Sequence, residues 1–190
     1  RRRKEFVFGY IGTHIPSKGI NLIIDAFSKL DIDAHLLIWG SKDQQSTNAL
    51  ERLSKSANKK IFFKGGYVNK NLADEVFSQV DCIIVPSVWG ENSPLVIHEA
   101  QACKVPVITA NFGGMAEYVK HHVNGLLFNH RDSNSLLEQI RWAVQHPNEM
   151  ETLGLRGYIH HPDGEVPNIK EHCKQLISIY QSMKQHEYSQ

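Results

Sequence analysis

Residues 6–30 read Phe6-Val-Phe-Gly-Tyr-Ile-Gly-Thr-His-Ile-Pro-Ser-Lys-Gly-Ile-Asn-Leu-Ile-Ile-Asp-Ala-Phe-Ser-Lys-Leu30. A β-rich apolar run over 6–12 stops at a glycine, and from Ile20 onward the apolar positions fall at helical spacing. The stretch is strand, loop, helix. The same alternation repeats outward, with strand 35–39 and helix 44–57, strand 61–64 and helix 71–79, strand 82–85 and helix 94–103, then strand 105–109. A short strand at 126–128 precedes helix 133–145, whose Leu136, Leu137, Ile140, Ala143 and Val144 share one face and which Pro147 stops. The strands lack a polar face, so they belong in a parallel sheet covered on both sides. The predicted fold is α/β, a doubly wound Rossmann-like sheet of about six parallel strands with helices on both faces.

The chain is 190 residues long, 41% hydrophobic and 22% charged, which is the composition of one ordinary globular domain and excludes disorder, collagen-like repeats and a disulfide scaffold. A net charge of +1 supplies no field to steer the protein toward nucleic acid or an anionic membrane, so no nucleic-acid partner is expected. No apolar run approaches the ~20 residues of a membrane-spanning helix. Cys82, Cys103 and Cys173 are an odd count, which favours a reducing, cytoplasmic setting. Residues 1–5 read as a basic leader or linker remnant, 6–156 as the ligand-binding domain, and 157–190 as a turn-rich connection and a C-terminal helix. That helix, 168–186, places Ile169, Cys173, Leu176, Ile177, Tyr180 and Met183 on one stripe and is expected to pack. The start Arg-Arg-Arg-Lys, with no Met, suggests a piece of a longer polypeptide.

In an open parallel sheet the ligand lies beyond the carboxyl ends of the strands. After the first strand, Gly12-Thr-His-Ile-Pro-Ser-Lys-Gly19 offers a close turn at Gly12 and a cation, Lys18, where a helix begins and presents free N–H groups to an anion. Neither the dinucleotide nor the Walker spacing fits it. After the fourth strand comes Pro86-Ser-Val-Trp-Gly-Glu-Asn-Ser-Pro-Leu-Val-Ile-His-Glu-Ala100. Ser93 before Pro94 fits an N-cap with proline at the first helical position, which leaves Glu91 in the loop and Glu99 inside a mostly apolar, buried helix. A carboxylate accepts two parallel hydrogen bonds, as from vicinal ribose hydroxyls, and free N–H groups over Ser93 to Val96 suit a diphosphate. With 12 glutamates in the chain, about one Glu-x7-Glu pair arises by chance, so position carries the weight. His98 reads as a core histidine. After the fifth strand, Ala110-Asn-Phe-Gly-Gly-Met-Ala-Glu117 pairs glycines either for a plain turn or for close approach to a ligand.

Together Gly12 to Gly19, Pro86 to Ala100, and Gly-Gly-Met-Ala-Glu-Tyr-Val at 113–119 with Asn-Gly-Leu-Leu-Phe at 124–128 resemble the C-terminal donor-binding domain of the family 4, group 1 retaining glycosyltransferases of GT-B fold. The resemblance covers about residues 6–150. It implies transfer from a nucleoside-diphosphate sugar, with retained configuration and neither metal nor cofactor, to a glycan or lipid-linked acceptor. It implies catalytic roles for Lys18, on the donor diphosphate, and Glu91, near the donor sugar, while Glu99 holds the ribose. Gly12 and Thr13 would bind donor too, Asn92, Ser93, Pro94 and Leu95 would offer backbone groups, and Gly66, Tyr67 and Val68 would border the base. His14, Trp89, Gly113 and Gly114 would line the cleft. Thr13 stands where members often carry an arginine. An N-terminal acceptor domain would be the partner, with peripheral membrane association through it, and this chain without it would bind donor but not turn over. A nucleotide-binding module without catalysis, and a glycosidase using Glu91 and Glu99 as acid and base, are the competing readings. The adjacent pairs His121-His122 and His160-His161 diverge on regular elements and suit no zinc site.

Overall fold

The computed structural model describes residues 5–40 and 60–187, so residues 1–4 of the expected leader and the expected helix 44–57 lie outside the described residues. The strands are β1 (Phe6–Ile11), β2 (Ala34–Trp39), β3 (Ile61–Gly65), β4 (Cys82–Val85), β5 (Val107–Ala110) and β6 (Gly125–Phe128). They pair in the order β3-β2-β1-β4-β5-β6, every pair parallel. Five of the six residues of β1 and all four of β5 are buried, as the two-sided apolar runs require. This is the doubly wound Rossmann-like sheet. The chain steps outward from β1 through β2 to β3, then returns to the other side of β1 with β4, so the crevice of the fold opens between the carboxyl ends of β1 and β4.

Helix α1 (Ile20–Ser28) buries Ile20, Ile23, Ile24, Ala26 and Phe27, a stripe at helical spacing. The α2 turn (Leu72–Glu75), α3 (Leu95–Ala102) and the α4 turn (Met115–Tyr118) follow, then α5 (Ser133–Gln145), α6 (Pro147–Arg156) and α7 (Ile169–Glu187). α5 buries Leu136, Leu137, Ile140 and Ala143 and lies against α1, where the Ser133 hydroxyl bonds Asp25 and Lys29 reaches Asn134 at 3.3 Å. Phe8, Phe27, Leu36, Ile83, Ile108 and Ile140, none with exposed surface, lie in one core.

Two expectations fail, over 71–79 and on the C-terminal helix. The helix expected over 71–79 is a single α2 turn between two 3₁₀ turns, Asn69–Asn71 and Phe77–Gln79. Its carbonyls at Asp74 and Glu75 are taken by the Ser78 hydroxyl (2.5 Å) and the Gln79 amide, side chains that compete with the i+4 backbone bond. Pro147 ends α5 but also opens α6, where a proline at the first position loses no hydrogen bond. The stripe on α7 is uncovered, with Ile169 73% and Tyr180 65% exposed. No helix among the described residues is long and apolar enough to cross a membrane.

The N-terminus of α5 is held by Asp132, whose Oδ1 accepts from the backbone N–H groups of Asn134 (2.9 Å) and Ser135 (3.0 Å). Asp132→Ala leaves both donors without that partner and should cost about 1 kcal/mol, read as a lower urea midpoint with an unchanged slope.

Candidate functional site

The loop after β1 turns tightly. Gly12 N–H donates to the Trp39 carbonyl (3.1 Å), and the buried Tyr10 hydroxyl donates to the Thr13 carbonyl (2.9 Å). Pro16 then opens a 3₁₀ turn, Pro16–Lys18, which ends on Gly19 at φ +74°. A Cβ on Gly19 would stand 1.9 Å from the Pro86 carbonyl oxygen, so both the left-handed backbone and the lack of a side chain are needed there. That contact brings the β1 loop onto the β4 loop. Val88 N–H donates to the Ser17 carbonyl at 3.0 Å, and the buried Ser87 hydroxyl lies 3.2 Å from the same oxygen and 3.1 Å from Glu91 Oε1. Lys18 Nζ reaches Glu91 Oε1 at 2.5 Å. The expected cation and the loop carboxylate thus meet across the crevice between β1 and β4. A part-exposed pair of this kind contributes about 0–1 kcal/mol to stability, so its importance is placement.

The two glycines of the β5 loop, Gly113 and Gly114, approach that loop. Gly114 N–H donates to the Glu91 carbonyl (2.8 Å), and a Cβ on Gly114 would stand 1.7 Å from the Asn92 carbonyl oxygen. Their close approach is to backbone. Beyond it, Asn92 and Ser93 are exposed and α3 begins at Leu95. The expected cap is corrected here: Pro94, in extended conformation, is the N-cap, no side chain caps the helix, and the Ser93 hydroxyl instead lies 2.8 Å from His98 Nε2. Nor is α3 largely buried. Leu95 is 72% exposed, and only Ile97, Ala100 and Gln101 are buried, because one face suffices to cover the sheet.

Glu99 is half-buried on α3, and burial raises its carboxyl above the usual glutamate range. Tyr67, half-buried between the exposed Gly66 and Val68 after β3, has its phenol raised by burial and then by the charge of Glu99. Trp89 is 69% exposed beside Glu91. His14 is corrected: at 1% exposure it is wall packing, edge-on to Phe63 at 5.8 Å, and lines no open cleft. Sequence reasoning missed the loop after β6. There His130 Nε2 lies 3.1 Å and Arg131 Nη2 3.4 Å from the Val88 carbonyl, and the His130 ring stacks on Phe112 at 3.9 Å. Its place at a carboxyl strand end was the available signal. A cavity of about 650 Å³ lies at the opposite edge of the sheet, lined by Glu5, Asp33, Asp81 and Lys104 among others, and contains none of the expected site residues.

The family model described as glycosyl transferases group 1 matches residues 1–160. An uncharacterized glycosyltransferase of Methanocaldococcus jannaschii is 31% identical over 154 residues, 79% of this chain and 37% of that protein. The capsular polysaccharide biosynthesis glycosyltransferase CapM of Staphylococcus aureus is 27% identical over 158 residues, 80% of this chain and 40% of its own. The crystal structure of Anabaena HepE in complex with UDP-glucose shares the fold, with a TM-score of 0.72 at 24% identity over 80% of this chain and 42% of that one. The chain therefore spans about two-fifths of the length of these proteins.

Two outcomes follow from this geometry. Gly114→Ala forces a methyl into the Asn92 carbonyl and should cost about 2 kcal/mol in urea unfolding, within the usual range for overpacking. For Glu99, a carboxyl raised by burial favours the neutral form in the fold, so its contribution to stability is present below the unfolded value of about 4.3 and is lost as pH rises through the folded one. Glu99→Gln should therefore gain on the parent protein as the pH of urea titrations rises from about 4 to about 7.

Proposed function

The chain belongs to the group 1 glycosyl transferases, and on that premise we propose that it is the donor-binding domain of one, holding a nucleoside-diphosphate sugar for retaining transfer to a glycan or lipid-linked acceptor. The observation that carries this reading is the meeting of Lys18 with Glu91 at the crevice between β1 and β4. HepE, a structure of the same fold, is recorded with UDP-glucose, and CapM belongs to capsular polysaccharide biosynthesis; both support the donor and the acceptor class proposed.

Each group has a task that its chemistry allows. Lysine carries three N–H donors, so Lys18 can keep Glu91 and still offer two to phosphate oxygens. The first N–H groups of α3, at Leu95 and Val96, have no partner among the described residues and would offer their partial positive charge to the same anion. Charge growing on the departing diphosphate is then met by groups already in place, which is the economical way to lower a barrier. Glu91 would sit near the donor sugar. Glu99, half-buried beside Tyr67, would accept the two ribose hydroxyls, with Gly66 to Val68 along the base. Gly12 and Thr13 would pass close to the phosphates, and Asn92 to Leu95 would present backbone groups. The reading uses no metal and no cofactor. Acceptor binding and closure over the donor would fall to a further domain of the same polypeptide, through which membrane association would also run.

A thermal-shift panel of UDP-, GDP- and ADP-glucose should single out one base. With that nucleotide sugar, calorimetry should show Lys18→Ala and Glu99→Ala each weakening binding about 10- to 100-fold, the loss of one charged hydrogen bond. Unchanged affinity in both would contradict the assignment.

A further inference from the structure

The segment over 157–165 takes no part in the donor reading, yet it is firmly tied. Tyr158 N–H donates to the Gly164 carbonyl (2.9 Å), Lys104 Nζ donates to the same oxygen (2.9 Å) and pairs with Glu165 (2.8 Å). The buried Asn124 amide donates to the carbonyls of Gly157 (3.0 Å) and Tyr118 (2.9 Å). The result is a small aromatic cluster. Tyr158 stacks on Tyr118 at 6.2 Å, His160 lies edge-on to Tyr118 at 5.7 Å with its Nε2 2.9 Å from the Glu117 carbonyl, and His98 lies edge-on to Tyr118 at 4.4 Å and to Tyr158 at 5.7 Å. These contacts fix the His98 ring with Nε2 on the Ser93 hydroxyl at 2.8 Å. Burial, then the nearby His160, holds the His98 pKa below the usual histidine range, so the ring is neutral at neutral pH. A neutral Nε2 can accept from or donate to the hydroxyl.

Ser93 before Pro94 is, by sequence, the natural cap of a helix that starts at Pro94, and a capping hydroxyl would take the N–H of Leu95 or Val96. Those are the groups offered to the diphosphate. We propose that His98 is a positioning residue that withholds the Ser93 hydroxyl from the helix, so that α3 starts at Leu95 with its first N–H groups open to the donor. The inference rests on the donor reading above. His98 touches no donor atom itself; the segment 157–165 acts one step further back, by holding the ring in place.

The test is calorimetry on the full chain with whichever of UDP, GDP and ADP binds tightest. His98→Phe keeps an aromatic ring against Tyr118 and Tyr158 but frees Ser93 to cap, and should weaken binding about 5-fold, the worth of one cap. Adding Ser93→Ala to His98→Phe removes the competing hydroxyl and should recover that factor. Should His98→Phe fail to fold, His98→Gln serves, because it keeps a polar group near Ser93 and should bind within about 2-fold of the parent. A 5-fold loss that Ser93→Ala does not repair, parent-like binding by His98→Phe, or a large loss in a folded His98→Gln overturns the proposal. Lys18→Ala separates the two claims. Weakened binding in Lys18→Ala beside parent-like binding in His98→Phe sinks the role of His98 alone, whereas parent-like binding in both, or no binding by the parent, sinks the donor reading with it.

Discussion

Two loop backbones touch at the carboxyl edge of the sheet, Gly19 against the Pro86 carbonyl, and the site hangs on that contact. It requires a residue with no side chain at φ +74°, and with it in place Val88 can bond the Ser17 carbonyl and Lys18 can reach Glu91. The order of the strands does the rest. Because β1 and β4 are neighbours although their sequences lie far apart, the loops that leave them meet at that edge, the end of the first at Ser17 to Gly19 against the start of the second at Pro86 to Val88.

Glu91 is fixed from several sides. Its carboxylate meets Lys18 and Ser87, its carbonyl accepts from Gly114, and its own N–H donates to the Trp89 carbonyl at 3.0 Å. Little of this is large in energy, since a part-exposed ion pair contributes about 0–1 kcal/mol and a neutral hydrogen bond about 1. What it supplies is a charged pair whose position is set before any ligand arrives, the condition under which electrostatics lower a barrier. The opposite edge differs in character. Among the described residues its cavity of about 650 Å³ is lined by four carboxylates, Glu5, Asp33, Asp81 and Glu151, and one cation, Lys104.

The sheet was legible because strands buried on both faces, β1 and β5 above all, have no polar positions, and the alternation of apolar runs with helical spacing leaves little choice of fold, even though the edge strand β3 exposes Phe62 and Lys64. The three loops expected to meet a ligand could be located because the topology puts the carboxyl ends of β1, β4 and β5 at one edge. What escaped depends on competition that residue types do not reveal. Ser78 and Gln79 each could have faced solvent, yet they took backbone carbonyls and broke a helix. Ser93 fits a helix cap by residue type, yet its hydroxyl lies on His98 and no side chain caps α3. His14 lies in a loop but turns inward onto Phe63, and His130 joins the site only because β6 lies beside β5. The glycines at 113 and 114 read either as a plain turn or as a place for close approach to a ligand, and residue types did not reveal that Gly114 also packs against the Asn92 carbonyl.

On the proposed function, a nucleoside-diphosphate sugar binds at the carboxyl edge, between Lys18 and α3. Backbone amide chemical shifts mapped through a titration with the bound nucleotide sugar test it most directly. The shifts should concentrate on Lys18, on Glu91 to Val96 with Pro94 silent, on Glu99 and on Tyr67. Shifts gathered instead around Asp81, Lys104 and Met150 at the opposite edge, with the Lys18 and Leu95 amides unmoved, would contradict it.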